Sequence, residues 1–192
     1  MSISLHPGSF LVASPELKNN PHFGQRVVLI LSHSAETGTA GVVVNRPLDP
    51  DAVVKHPYLT KGLEHWSTPS NRLVFVGGPM NPQVVTALHR IEHLGGGSPL
   101  LAGFYRGSDL ETLHVHASSM NSEQPILRYY LGFANWASGQ LEKEMAGGCW
   151  RQSPGSVEVV FSSTPEEVWP QLLSESEGKE NCQGTWYMIT GF

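Results

Sequence analysis

The side chains of this sequence that are able to do chemistry gather at the ends of apolar runs. Asn45-Arg46-Pro47 follows Ala40-Gly41-Val42-Val43-Val44, and Gly77-Gly78-Pro79 follows Leu73-Val74-Phe75-Val76. Ligands bind at strand ends in sheets covered by helices. A Gly-Gly pair lets the backbone approach a ligand and present N–H groups to an anion. Arg46 suits a clamp on a carboxylate or phosphate. Further on, Gln140 and Glu144 stand four residues apart on one face of an expected helix, opposite a stripe of Ala137, Leu141 and Met145. Glu144 is the candidate catalytic residue, as a general base or a partner of Arg46. Trp136 and Trp150 are candidate pocket walls. The expected ligand-binding set is therefore Asn45, Arg46, Gly77, Gly78, Pro79, Trp136, Gln140 and Trp150. A structural reading fits the same residues: a tight Gly-Gly-Pro turn, an ion-paired Arg46, core tryptophans and a capping or pairing Glu144.

Other chemistries have weaker sequence support. Nine histidines invite a metal site. His89 and His93 share a face only on a helix, and His114 and His116 only on a strand. No His-Glu-x-x-His occurs, and no metal is expected. Phosphate loops, Gly-x-Gly-x-x-Gly and the Gly-x-Ser-x-Gly elbow are also missing from the sequence, so no cofactor is expected.

The elements holding these residues belong to a loop-rich globular chain. Of its 192 residues 40% are hydrophobic and only 15% charged, with 20 Gly and 14 Pro. Nine basic and nine acidic residues balance up to residue 141, and three basic against eight acidic residues after it supply the net charge of −5. Such a chain lacks the basic stripe that neutralises phosphates, so direct nucleic-acid binding is disfavoured. Two cysteines, Cys149 and Cys182, are too few for a disulfide framework and are expected as reduced thiols. No run is long enough for a membrane span, and no signal peptide opens the sequence, so the expected location is cytoplasmic, or organellar if a targeting segment is missing.

Strands are expected at residues 9–13, 27–31, 40–44, 73–76, 127–133 and 157–161, with a long loop over 32–39 between the second and third. Apolarity on both faces of the second and third places them centrally. Helices are expected at 138–146 and from the capping box Thr164-Pro165-Glu166-Glu167, with Pro170 kinking or restarting the latter. A short helical turn is expected at Asp49-Pro50-Asp51, ended by His56-Pro57, a loop at Gly95-Gly96-Gly97, and a mobile surface segment near 174–181. Local spacing of Val84, Leu88 and Ile91 favours a helix after Asn81-Pro82.

Gly8-Ser9-Phe10-Leu11-Val12-Ala13-Ser14-Pro15, Gly41-Val42-Val43-Val44-Asn45-Arg46-Pro47, Val76-Gly77-Gly78-Pro79, Gly132-Phe133-Ala134-Asn135-Trp136 and Gly139-Gln140-Leu141-Glu142-Lys143-Glu144, then Trp150, occur in this order. In order and spacing they resemble the AlgH/YqgE family of bacterial proteins with plant and algal relatives, over residues 5–169. The resemblance implies a mixed α/β (α+β) fold: a central mixed sheet flanked by helices, with a smaller α/β lobe in a single domain over 1–192. It also implies an extended segment at Leu88-His89, which replaces the local helix with a strand. For one branch, the family name implies regulation of alginate synthesis and transcription.

The functional expectation is a non-enzymatic binding or regulatory protein, acting through an anionic small molecule or a protein partner. The alternative is a small-molecule enzyme with Arg46 as anion clamp and Glu144 as acid/base. A transcriptional regulator ranks third because of the charge.

Overall fold

A computed structural model describes residues 5–49, 74–92, 94, 97–107, 109–119 and 125–176. The strands are β1 (Phe10–Ala13), β2 (Val27–Ser34), β3 (Gly38–Val43), β4 (Val74–Val76), β5 (Met80–His89), β6 (Ser98–Leu101), β7 (Phe104–Gly107), β8 (Leu127–Trp136) and β9 (Trp150–Ser153). The helices among the described residues are α1 (Leu110–Ser119), α2 (Gln140–Ala146), α3 (Val157–Val160) and α4 (Pro165–Glu175), with a 3-10 turn at Pro15–Asn19. The fold is mixed α+β. Its strands run in the order β6-β7-β5-β8-β3-β2-β1-β9, with β4 added to β8. Every pairing is antiparallel except β4 with β8. Among the described residues, no helix is long and apolar enough to cross a membrane.

Alternation fixes which face each strand residue covers. Phe10, Val12, Val27, Leu29, Val42 and Val44 pack on one face with Val160 and Phe161 of the α3 end and Val168 and Leu172 of α4. Leu11, Ala13, Val28, Ile30 and Val43 pack on the other with Leu141 of α2, Trp136 and Trp150. Both faces of β1, β2 and β3 are thus buried, as their unbroken apolar runs require. A third cluster joins Ala87, Tyr129 and Leu131 to Leu113 of α1.

β8 serves three partners. One edge pairs with β5. The other pairs first with β4, through Tyr129 to Leu131, and then with β3, through Ala134 to Trp136. At the change of partner, Gly77 is held between the two strands: its N–H donates to the Leu131 carbonyl (2.7 Å), and its carbonyl accepts from the Val43 N–H (2.7 Å). Gly132 sits at the same point with φ +69°, where a Cβ would fall 2.6 Å from the Gly78 oxygen.

Several expectations change. The run at 157–161 is the helix α3 rather than a strand, because four apolar residues do not fix a period. Ser156 decides it, its hydroxyl accepting from the Val159 N–H. Arg128, fully buried, then donates to the Val160 and Ser162 carbonyls (both 2.5 Å) and lies over the Phe75 ring at 4.6 Å. The β2–β3 loop shrinks to residues 35–37, since both strands extend past their apolar cores. His114 and His116 lie on α1, where residues two apart do not share a face. Among the described residues, no group of three or more metal-ligating side chains assembles. Thr164 makes no side-chain cap, so the capping box is not formed, and α4 continues through Pro170. Cys149 is disulfide-bonded rather than a reduced thiol. The segment at Met80–His89 is a strand, as the family resemblance implied. The expected turn at Pro50-Asp51, the loop at Gly95-Gly96 and the segment beyond residue 176 lie outside the described residues.

His89 closes β5. Its Nδ1 accepts from the Ile91 N–H (3.2 Å), its ring stacks on Tyr105, and burial lowers its pKa. The unfolded chain protonates this group at about 6.5, so its contribution to stability is complete above that pH. It is lost as pH falls through the lower folded-state pKa. We expect the urea midpoint of the wild type to drop between pH 7.5 and 5.5, and His89→Asn, which keeps an acceptor for Ile91 without titrating, to show a shallower drop. Gly132→Ala adds left-handed strain and a backbone clash, with an expected loss of about 2–4 kcal/mol in equilibrium unfolding.

Candidate functional site

The antiparallel hairpin of β2 and β3 places the start of one strand beside the end of the other, with Val28 opposite Val43. Beyond it, the Val44 N–H donates to the Val27 carbonyl (2.9 Å), so Gln25-Arg26 and Asn45-Arg46 emerge at the same end of the hairpin. Asn45 is buried and holds this crossing together. Its Oδ1 accepts from the Val27 N–H (2.9 Å), and its Nδ2 donates to the Gln25 carbonyl (3.0 Å). Gln25 is kept at φ 58°, an uncommon conformation for its residue type. Asn45 is therefore a positioning residue whose polar atoms are already engaged.

The two arginines it sets side by side line a cleft of about 590 Å³ with Gln25, Asn45, Pro47, Glu166, Trp169 and Pro170. Arg46 also lines a second cavity of about 270 Å³, with His22, Val43, Val76, Gly78, Pro79 and Pro82. Among the described residues, neither Arg26 nor Arg46 forms an ion pair. Arg26 gives one long hydrogen bond to the Gln25 carbonyl (3.3 Å), while its Nε is buried with no acceptor. Burial first, and the positive charge of Arg46 second, lower the pKa of Arg26. A guanidinium nevertheless stays protonated, so two like charges persist at the mouth of one cleft.

Gly78 and Pro79 line the smaller cavity, and Gly77 lines neither. The glycines meet a packing need: a Cβ on Gly78 would come within 2.2 Å of the Phe133 backbone.

Trp136, Gln140, Glu144 and Trp150 come together as a separate cluster. Glu144 Oε2 accepts from the Trp136 indole N–H (2.9 Å) and the Trp150 indole N–H (2.8 Å), and its Oε1 accepts from Gln140 Nε2 (2.9 Å). Gln140 Oε1 in turn accepts from the Ala137 N–H (3.0 Å). Phe23 packs on both indoles, with ring centroids 6.0 and 5.4 Å away. Glu144 lines neither of these two cavities. The carboxylate holds three donors from β8, α2 and β9, and fastens α2 to the sheet.

A family-wide sequence profile described as AlgH-like matches residues 10–181. The chain belongs to the AlgH-like family. A UPF0301 protein of Chlorobaculum tepidum is 31% identical over 179 residues, 93% of this chain and 90% of its own. One from Myxococcus xanthus is 33% identical over 174 residues, 88% of this chain and 90% of its own. The crystal structure of DIP2367 from Corynebacterium diphtheriae is similar with a TM-score of 0.69 at 23% identity, covering 91% of this chain and 89% of that one. The solution structure of AlgH from Pseudomonas aeruginosa gives 0.65 at 24%, covering 94% of each. At these identities the solved structures bear on fold alone. The relatives bear family names rather than names of reactions.

In this AlgH-like chain the sequence reading missed Gln25, Arg26, Glu166 and Trp169. Arg26 was within reach: once residues 27–31 and 40–44 are paired as a hairpin, Arg26 falls beside Asn45-Arg46. Glu166 and Trp169 come from α4, more than a hundred residues away, and no local spacing points to them.

Glu144→Ala would strand two indole donors and free one end of α2. We expect a loss of about 3 kcal/mol in urea unfolding, since hydrogen bonds to a charged acceptor contribute about 1.5–3 kcal/mol each, with anion affinity at the arginine cleft unchanged. A fully stable variant with altered affinity would instead tie Glu144 to the ligand.

Proposed function

We propose that this AlgH-like protein is a non-enzymatic binding or regulatory protein whose ligand is a small anionic molecule held between Arg26 and Arg46. The observation that carries this reading is the pair of adjacent guanidinium groups, one with a buried Nε lacking an acceptor, facing an open cleft with no ion-pairing carboxylate among the described residues. Both arginines are half-buried, and an anion arriving from solvent is the partner that fits two like charges set side by side. The cleft is of ligand-pocket size. Its described lining offers one carboxylate, Glu166, and no nucleophile beside a base, which supports binding over catalysis. The net charge of −5 supports a small ligand over direct contact with DNA.

The reading treats residues 1–192 as one domain, in which β5, β6, β7 and α1 form the smaller lobe and helices flank the larger part of the sheet. It keeps the protein in the cytoplasm, where small phosphates and carboxylates are plentiful. A disulfide at Cys149 is unusual for that compartment.

The test is thermal unfolding in inorganic phosphate against sodium chloride at matched ionic strength. A ligand at a hundredfold its dissociation constant stabilises by about 2.7 kcal/mol, which for a chain of this size raises Tm by roughly 5–10 °C. Arg26→Gln and Arg46→Gln should each remove most of that rise. Phosphate also stabilises proteins generally by exclusion from their surface, so an equal rise in wild type and variants overturns the proposal.

A further inference from the structure

We infer that the anion is a phosphate monoester carrying a planar ring with N–H donors, of the nucleoside 5′-monophosphate class. This rests on the anion-binding reading above and adds the ligand's chemistry to it.

The charge count favours phosphate. Two guanidinium groups bring two positive charges and up to ten N–H donors to one wall. A carboxylate offers one charge and two oxygens, enough for a single bidentate arginine. A phosphate monoester carries between one and a half and two negative charges near neutral pH on three terminal oxygens, so it is able to accept from both arginines at once. The terminal nitrogens of Arg26 reach the exposed side, where Nη1 donates one long hydrogen bond to the Gln25 carbonyl (3.3 Å).

The remaining lining speaks to the rest of the ligand. It is built from Glu166, Trp169 and Pro170 of α4. The Trp169 indole is fixed by its N–H donating to the Ala13 carbonyl (2.7 Å), so the ring is a rigid apolar surface rather than a mobile side chain. Flat rings stack on such surfaces with little loss of side-chain entropy. One helical turn before Trp169 stands an acceptor, the exposed carboxylate of Glu166. An acceptor beside an aromatic wall selects a ring that presents N–H groups. Two guanidinium charges match the charge of a single monoester, which favours a monoester over a triphosphate.

The test is isothermal titration of the full chain with inorganic phosphate, adenosine and guanosine, their 5′-monophosphates and their 5′-triphosphates. The expected result is at least tenfold tighter binding of one monophosphate than of either inorganic phosphate or its nucleoside, with the triphosphate weaker than the monophosphate. Glu166 is exposed, so Glu166→Gln keeps the fold and should narrow the gap between monophosphate and inorganic phosphate by threefold or more, while Arg26→Gln abolishes binding of both. Monophosphates binding no tighter than an Arg26-dependent inorganic phosphate would overturn this inference and leave the anion-binding function standing. Triphosphates binding more tightly than monophosphates would overturn the charge match between one phosphate and the two guanidinium groups, and with it the monoester class. No binding of any of these compounds would overturn both proposals.

Discussion

The whole molecule depends on one strand having to satisfy three neighbours. β8 is ten residues long, and backbone groups buried along it must all find partners. β5 occupies one edge, but β4 is only three residues long and leaves the other edge unfilled beyond Leu131. β3 takes over from Ala134. The changeover works because Gly77 and Gly78 let the departing chain lie within van der Waals contact of β8, and because Gly132 adopts a left-handed conformation opposite them. Side chains at those positions would push β4 and β3 apart and open the sheet at its middle.

That arrangement is also what creates the site. With β3 held against β8 on one side and β2 on the other, its C-terminal end has no freedom to swing, and the hairpin register brings Arg46 beside Arg26. Asn45 then fastens the crossing with two hydrogen bonds across eighteen and twenty residues of sequence separation. The facing wall is located by a different device. Buried Arg128 on β8 binds the carbonyls of Val160 and Ser162, which sets the end of α3 and the entry to α4. Through that guanidinium, the position of Glu166 and Trp169 is referred back to the same central strand that positions the hairpin.

The strands were legible because period-two burial leaves a direct mark in sequence: β1, β2 and β3 read as apolar on both faces, and they are. The run Val157-Glu158-Val159-Val160-Phe161 was not, since its conformation is decided by a serine cap and by an arginine thirty-two residues away. β5 ran against its local helical spacing, and tertiary pairing with β8 won. For the site, Arg46 and the Trp136, Gln140, Glu144, Trp150 group were visible as polar residues at strand and helix ends. Their division into two separate places was not, because it depends on which side of β8 each element packs. Gln25 and Arg26 carry no motif of their own; they gain meaning only from a strand register.

The two clusters differ in how fully their polar groups are satisfied within the protein. Glu144 accepts from three donors on three elements, so its hydrogen-bonding capacity is largely met within the protein. The arginine pair shows the reverse. Their proximity is enforced by the β2–β3 register and by Asn45, each charge makes the other less comfortable, and Arg26 keeps a buried donor without an acceptor. Folding alone supplies no gain from placing like charges together, since mutual repulsion at close range opposes it. On the anion-binding reading proposed above, an anion bridging the two guanidinium groups relieves that cost in the cleft that α4 shares with the end of the hairpin.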